Sequence, residues 1–201
     1  IRRNKMGMDV YGKNPKQNRA IDKFPVMKKY DEMEFSKKWK ELDKDKKLRT
    51  KYWEEKTDYE EANCGYYFRN NCWWWRPLWN YCYIIADDII TEEVFNSGHN
   101  NSGAGLNDKD AKLLGNRLME HIADGSTIKY QAEYEQYLND IPDDICSRCN
   151  GNNRGHSKVK NCINCNKTGR TPNFNKNYTF DVENVETFAK FCLESGGFEI
   201  C

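Results

Sequence analysis

The sequence predicts an α+β fold: a small mixed sheet with packed helices, a charged helical insertion near the N-terminus and a four-cysteine zinc knuckle. Three observations lead there. Helical stripes and short strand patterns follow one another along the 201 residues without a β-α-β rhythm. Aromatic residues make up 13% of the chain, six of them Trp, and supply the bulk for a substantial core. Cys146, Cys149, Cys162 and Cys165 form two Cys-x-x-Cys pairs. The expected organisation is one α+β domain built from 1–145 and 171–201. Residues 16–63 form the insertion and 146–170 the knuckle.

Met-Asp-Val-Tyr at 8–11 reads as a strand ending at Gly12, and 13–25, with two prolines, as loop. Within 28–61 the charges are dense, and Phe35, Trp39 and Leu42 follow an i, i+4, i+7 stripe that Tyr52, Trp53 and Tyr59 extend. One or two surface helices are expected there, as a solvated hairpin or as a basic arm. Residues 65–76 read as a strand pair or a strand broken at Asn70-Asn71, with Pro77 in the first turn of a helix running to about Ile90. Asn107 or Asp108 caps a helix carrying Leu114, Leu118 and Ile122, and Gly125 stops it. Tyr130, Tyr134, Tyr137 and Leu138 mark another helix, ended by Pro142. Phe174 and 178–180 read as a strand. Asp181 caps a last helix with Val185, Phe188, Ala189 and Cys192 inward, and 198–200 forms a closing strand.

Composition narrows the functional classes. With 32 basic against 31 acidic residues the net charge is +1, which argues against a strong global field for nucleic acid or membrane. The distribution is uneven: residues 1–61 hold 18 basic and 13 acidic side chains. No apolar run is long enough to span a bilayer. Cys64, Cys72, Cys82, Cys192 and Cys201 are scattered and odd in number, which fits a reducing cytoplasm better than a disulfide framework.

Two Cys-x-x-Cys turns present two thiolates each, and four thiolates complete a tetrahedron around Zn2+. A closed ligand set makes such a site structural, not catalytic. The knuckle also carries Arg148, Arg154, Lys158, Lys160, Lys167 and Arg170 and no acid. With a charge of −2 for zinc and its thiolates, the segment is about +4, a candidate surface for nucleic acid. The bland alternative is a soluble, acid-free knuckle.

Two other stretches stand out. In Trp73-Trp74-Trp75-Arg76, strand alternation places Trp73 and Trp75 on one face, and an exposed face with Arg69 and Arg76 nearby suits a base or sugar. Core packing is the simpler use. The loop from Gly98 to Gly105 holds His99, Asn100 and Asn101 before a helix N-terminus, where backbone N–H groups can meet an anion, although plain capping explains it too. It has neither a Walker lysine nor a dinucleotide fingerprint. His99 is the acid–base candidate if the chain is an enzyme. His121 reads as structural. No nucleophile–base pair or carboxylate dyad emerges from spacing.

Four stretches together carry a resemblance: Met6 to Pro15, Tyr67 to Trp79, Gly98 to Leu106, and Glu183 to Ile200. They resemble a family of small uncharacterised bacterial and bacteriophage proteins, across nearly the whole chain outside 16–63. The resemblance implies no activity. Separately, the knuckle is similar to the Cys-x-x-Cys-x-Gly-x-Gly repeats of DnaJ-type chaperones. Cys149-Asn150-Gly151 fits, the next glycine is displaced to Gly155, and Cys162-Ile163-Asn164-Cys165 lacks the first.

Three functions follow as expectations. The first is a non-enzymatic zinc-binding accessory protein, phage-encoded or bacterial, that meets nucleic acid or a nucleoprotein complex through its basic knuckle. The second is a binder of, or enzyme on, a nucleotide-like ligand held by Arg69, Trp73, Trp75, Arg76, His99, Asn100 and Asn101. The third is a protein–protein adaptor or inhibitor of a host enzyme.

Overall fold

The computed structural model describes residues 7–151 and 162–201. The fold is α+β. Its centre is a four-stranded antiparallel sheet of β1 (Gly7–Gly12), β2 (Tyr67–Asn71), β3 (Ala104–Leu106) and β6 (Phe198–Ile200), in the order β2-β1-β6-β3. Alternation decides which side is buried. Met8 and Val10 of β1, Phe68 of β2, and Phe198 and Ile200 of β6 all turn into one core, while Tyr11 and Glu199 face out. Gly105 is required at the β3–β6 pairing, because a Cβ there would stand 1.9 Å from the Phe198 carbonyl oxygen.

Three helices cover the buried face: α4 (Cys72–Ile85), α6 (Asp108–Ala123) and α8 (Val182–Glu194). Helix α6 lies along α8, with Ala111, Leu114 and Leu118 meeting the expected stripe of Val185, Phe188, Ala189 and Cys192. Asn107 caps α6 by accepting the Asp110 N–H at 3.0 Å, and Asp181 caps α8 by accepting the Glu183 N–H at 2.8 Å. Gly125, left-handed at φ 82°, separates α6 from α7 (Ser126–Asp140). A short helix, α5 (Glu92–Ser97), precedes β3.

The charged stretch folds as three helices: α1 (Pro25–Asp31), α2 (Phe35–Leu42) and α3 (Lys46–Ala62). They close around their own buried cluster of Phe24, Met27, Tyr30, Leu42, Tyr52 and Tyr59. Glu55 of α3 accepts the Val26 and Met27 N–H groups at 2.7 and 2.9 Å and so satisfies the start of α1. Asn63, buried, holds the incoming loop through the N–H groups of Asn18 and Arg19. Phe35, placed on the inward stripe by its spacing, is 76% exposed. Leu42 supplies the burial instead.

Several elements differ from the sequence expectation: the charged stretch has three helices where one or two are expected, α4 ends at Ile85 and not near Ile90, and two segments adopt another conformation. The tryptophan run is helical, not extended. Asn71 ends β2 and its side chain accepts the N–H groups of Trp73 and Trp74 at 2.9 and 3.1 Å, which starts α4 at Cys72. Pro77 therefore sits inside the helix and not in its first turn. Trp75, Leu78, Trp79 and Cys82 become one inward stripe, and Trp73, Arg76 and Asn80 lie along another face. The second such segment is 174–180. Asn173 accepts the Asn175 N–H at 2.9 Å, turning Phe174–Asn177 into a short 3-10 helix, and 178–180 pairs with no strand among the described residues. No helix is long and apolar enough to cross a membrane among the described residues.

Candidate metal centre and binding cleft

The knuckle is built on a two-residue ladder, β4 (Asp144–Ile145) against β5 (Arg170–Thr171). Each Cys-x-x-Cys pair is followed by left-handed residues, Asn150 and Gly151 after the first and Asn166, Lys167 and Gly169 after the second. These turns fold the chain back so that N–H groups approach sulfur; the Gly169 N–H reaches Cys165 Sγ at 3.3 Å. Gly169 has no room for a side chain, since a Cβ would meet the Gly151 carbonyl oxygen at 2.8 Å. All four sulfurs are buried and lie within 4.8 Å of one another. Cys146 and Cys162 stand 3.7 Å apart, as do Cys149 and Cys165. The Asn164 amide donates to Cys146 Sγ at 3.5 Å and, with nearby backbone N–H groups, favours its thiolate and lowers its pKa. Four buried thiols converging without a disulfide can hold a metal ion.

The basic residues of the knuckle divide. Arg148 and Lys167 are exposed. Arg170 is engaged, donating from Nη1 to the Asp143 carbonyl at 2.7 Å. Arg154, Lys158 and Lys160 lie outside the described residues.

The base of the knuckle is tied to the chain that follows it. Asn173 donates to Asp144 Oδ1 and Lys176 to Asp143 Oδ1, both at 2.9 Å. These bonds hold the 3-10 turn and Tyr178 against α4. Trp73 is packed by Phe174 and Tyr178, with both ring centroids at 4.8 Å.

A cleft of about 440 Å³ opens there. Trp73 and Arg76 come from α4, His99, Asn100 and Asn101 from the loop before β3, Phe174 and Tyr178 from the knuckle's exit, with Gly7, Met8 and Cys72 completing it. Four segments far apart in sequence thus meet, and no carboxylate lines the cleft among the described residues. Arg76 donates to the Tyr178 hydroxyl at 2.7 Å and joins no ion pair among the described residues. Arg69 and Arg117, by contrast, are matched by Asp9 and Asp88.

Two residues grouped with this site by sequence do not line it. Trp75 is fully buried in the core, because helical geometry turns it away from Trp73. Arg69 stands opposite Asp9 in the β1–β2 register and pairs with it at 3.4 Å, beside Gly7 at the rim. Trp75 acts on the cleft indirectly: its indole N–H donates to the Gly98 carbonyl at 2.8 Å and anchors the loop that carries His99. Phe174 and Tyr178 carry a strand-like pattern in sequence, and their place in the cleft has no local sequence signal.

His99 packs edge-on against Phe95 at 4.9 Å, and its Nδ1 is buried without a partner among the described residues. Burial, with the Arg76 charge beside it, holds the imidazole below its ordinary 6.5. Below pH 6.5 the unfolded chain then takes up a proton before the folded one does. Stability is expected to fall from about pH 6.5 downward and to level off once the folded imidazole titrates. His99→Gln should remove that component. Urea midpoints between pH 7 and 5 would show it, and an unchanged pH slope in the variant would refute it.

Comparison with protein-family models, curated proteins and solved structures finds no match. No relative lends this site an activity.

Proposed function

We propose that the protein is a non-enzymatic, zinc-stapled binder of nucleotide-like ligands, an aromatic base attached to a phosphate. The observation that carries this is Arg76: a cation without a counter-ion among the described residues, in a carboxylate-free cleft walled by Trp73, Phe174 and Tyr178. Aromatic faces stack bases without reading them, and a guanidinium meets phosphate in a planar fork. Asn100 and Asn101 supply amides for a base edge or ribose. The neutral His99 adds one more hydrogen-bonding group and no competing negative charge.

Zinc is the metal that the donor set favours. Four thiolates with Zn–S of ~2.3 Å span tetrahedron edges of about 3.8 Å, and two of the sulfur pairs are 3.7 Å apart. A filled tetrahedron leaves no position for substrate, so the metal holds structure. Exposed Arg148 and Lys167 add positive charge around it, which supports the same anionic ligand class.

Titration calorimetry with thymidine 5′-monophosphate, thymidine and inorganic phosphate tests the reading. The nucleotide should bind more tightly than either part. Arg76→Ala should weaken it about 10- to 100-fold, the range for a lost charged hydrogen bond, and should leave thymidine little affected. No detectable nucleotide binding, or an Arg76→Ala variant that binds as the parent does, would sink the proposal.

A further inference from the structure

Arg76 and Tyr178 do not border one cleft only. On their other side lies a second cleft of about 370 Å³, lined by Pro77, Asn80, Tyr134, Tyr137, Leu138 and Asn175. The two have the hydrogen-bonded Arg76–Tyr178 pair in common. Together they form a groove along one face of α4, where helical spacing lines up Trp73, Arg76 and Asn80. Each compartment has its own aromatic faces. Trp73 and Phe174 serve the first, and the second has Tyr137, 60% exposed, with Tyr134 behind it at 6.0 Å. Among the described residues neither compartment is lined by a carboxylate, and the one formal positive charge sits at the divide.

Resting on the reading that the first cleft takes a nucleotide, we infer that the groove is a site for single-stranded nucleic acid, with one base in each compartment and the phosphate between them on Arg76. The order of groups, aromatic, cation, aromatic, is the order of chemistry along a single strand: base, phosphate, base. A free mononucleotide fills half of it. An acidic peptide would match the cation but leave two sets of exposed rings without flat partners. A duplex has its bases stacked inside and offers neither compartment a face.

The test compares thymidine 5′-monophosphate, the 5′-phosphorylated dinucleotide of thymidine, a single-stranded oligothymidylate and a duplex, by calorimetry or fluorescence quenching. The dinucleotide should bind about tenfold or more tightly than the mononucleotide, the worth of a second stacked base. Tyr137→Ala, at an exposed position where folding is not at stake, should abolish the gain, so that the dinucleotide binds the variant no better than the mononucleotide binds the parent. The single strand should outcompete the duplex. Equal affinity for mono- and dinucleotide, or a gain that survives Tyr137→Ala, would overturn the two-compartment groove and leave the nucleotide reading standing. Failure of every nucleotide to bind would overturn both. Tripolyphosphate or an acidic peptide binding as tightly as the dinucleotide would show that charge alone is read, and would overturn the groove as well.

Discussion

Treating the protein with a strong metal chelator, or replacing Cys162 with serine, is expected to weaken the proposed nucleotide binding roughly 5- to 150-fold while leaving most of the fold intact. The argument runs through the knuckle's exit. Structural zinc supplies on the order of 10 kcal/mol to a small thiolate site, and the two-residue β4–β5 ladder has little else to hold it. Its buried cluster consists of the four cysteines themselves. Without the metal, Asp143 and Asp144 lose the fixed positions from which they hold Lys176 and Asn173. Phe174 and Tyr178 are then released from Trp73, and Tyr178 from Arg76. A loss of about 1–3 kcal/mol per stacked base would follow, roughly 5- to 150-fold in affinity. Neither the sheet-centred core nor the α1–α3 cluster includes a knuckle cysteine, so the far-ultraviolet helical signal should change little. Hydrogen exchange should rise across 162–178 and stay low in α6 and α8. If the metal-free protein keeps both its exchange protection at Phe174–Tyr178 and its nucleotide affinity, the knuckle does not shape the cleft.

What the sequence disclosed follows from how local each cause is. The capping side chains Asn107 and Asp181, the left-handed Gly125 and the stripe from Val185 to Cys192 act over three or four residues, so pattern alone places them. The four cysteines are legible for the same reason. The tryptophan run looks extended in sequence because Trp favours strands and because alternation is plausible over three residues. The decisive signal was longer: Trp75, Leu78, Trp79 and Cys82 at i, i+3, i+4 and i+7, preceded by Asn71 as a cap. The cleft was half legible. Trp73, Arg76, His99, Asn100 and Asn101 stood out by type, yet their meeting depends on β1, β2 and β3 sharing a sheet, and on Trp75 reaching Gly98. The wall formed by Phe174 and Tyr178 depends on ties to Asp143 and Asp144 about 30 residues earlier, which no local pattern encodes.

Trp75 joins stability and site, and its replacement should have a large effect on both. Its indole is fully buried, stacked on Trp79 with centroids 5.4 Å apart and an interplanar angle of 12°, and edge-on to Phe188 at 5.6 Å. Truncation to alanine is expected to cost about 3–5 kcal/mol, a large part of the 5–15 kcal/mol that a typical domain has. Trp75→Phe separates the two roles. Phenylalanine keeps much of the apolar contact but cannot donate to the Gly98 carbonyl, which costs about 1–3 kcal/mol for a buried acceptor left unpaired. Freed from Trp75, the loop should drift and carry His99, Asn100 and Asn101 out of register with Arg76. Nucleotide affinity should therefore fall in Trp75→Phe although residue 75 touches no ligand. Trp74→Ala, at a position 37% exposed, provides the comparison, with a stability change near the ~0.5 kcal/mol of ordinary surface substitutions. Urea unfolding and calorimetry on the three variants decide it. If Trp75→Phe weakens stability and leaves nucleotide affinity as in the parent, the Gly98 anchor is a packing detail and the loop is positioned by other contacts.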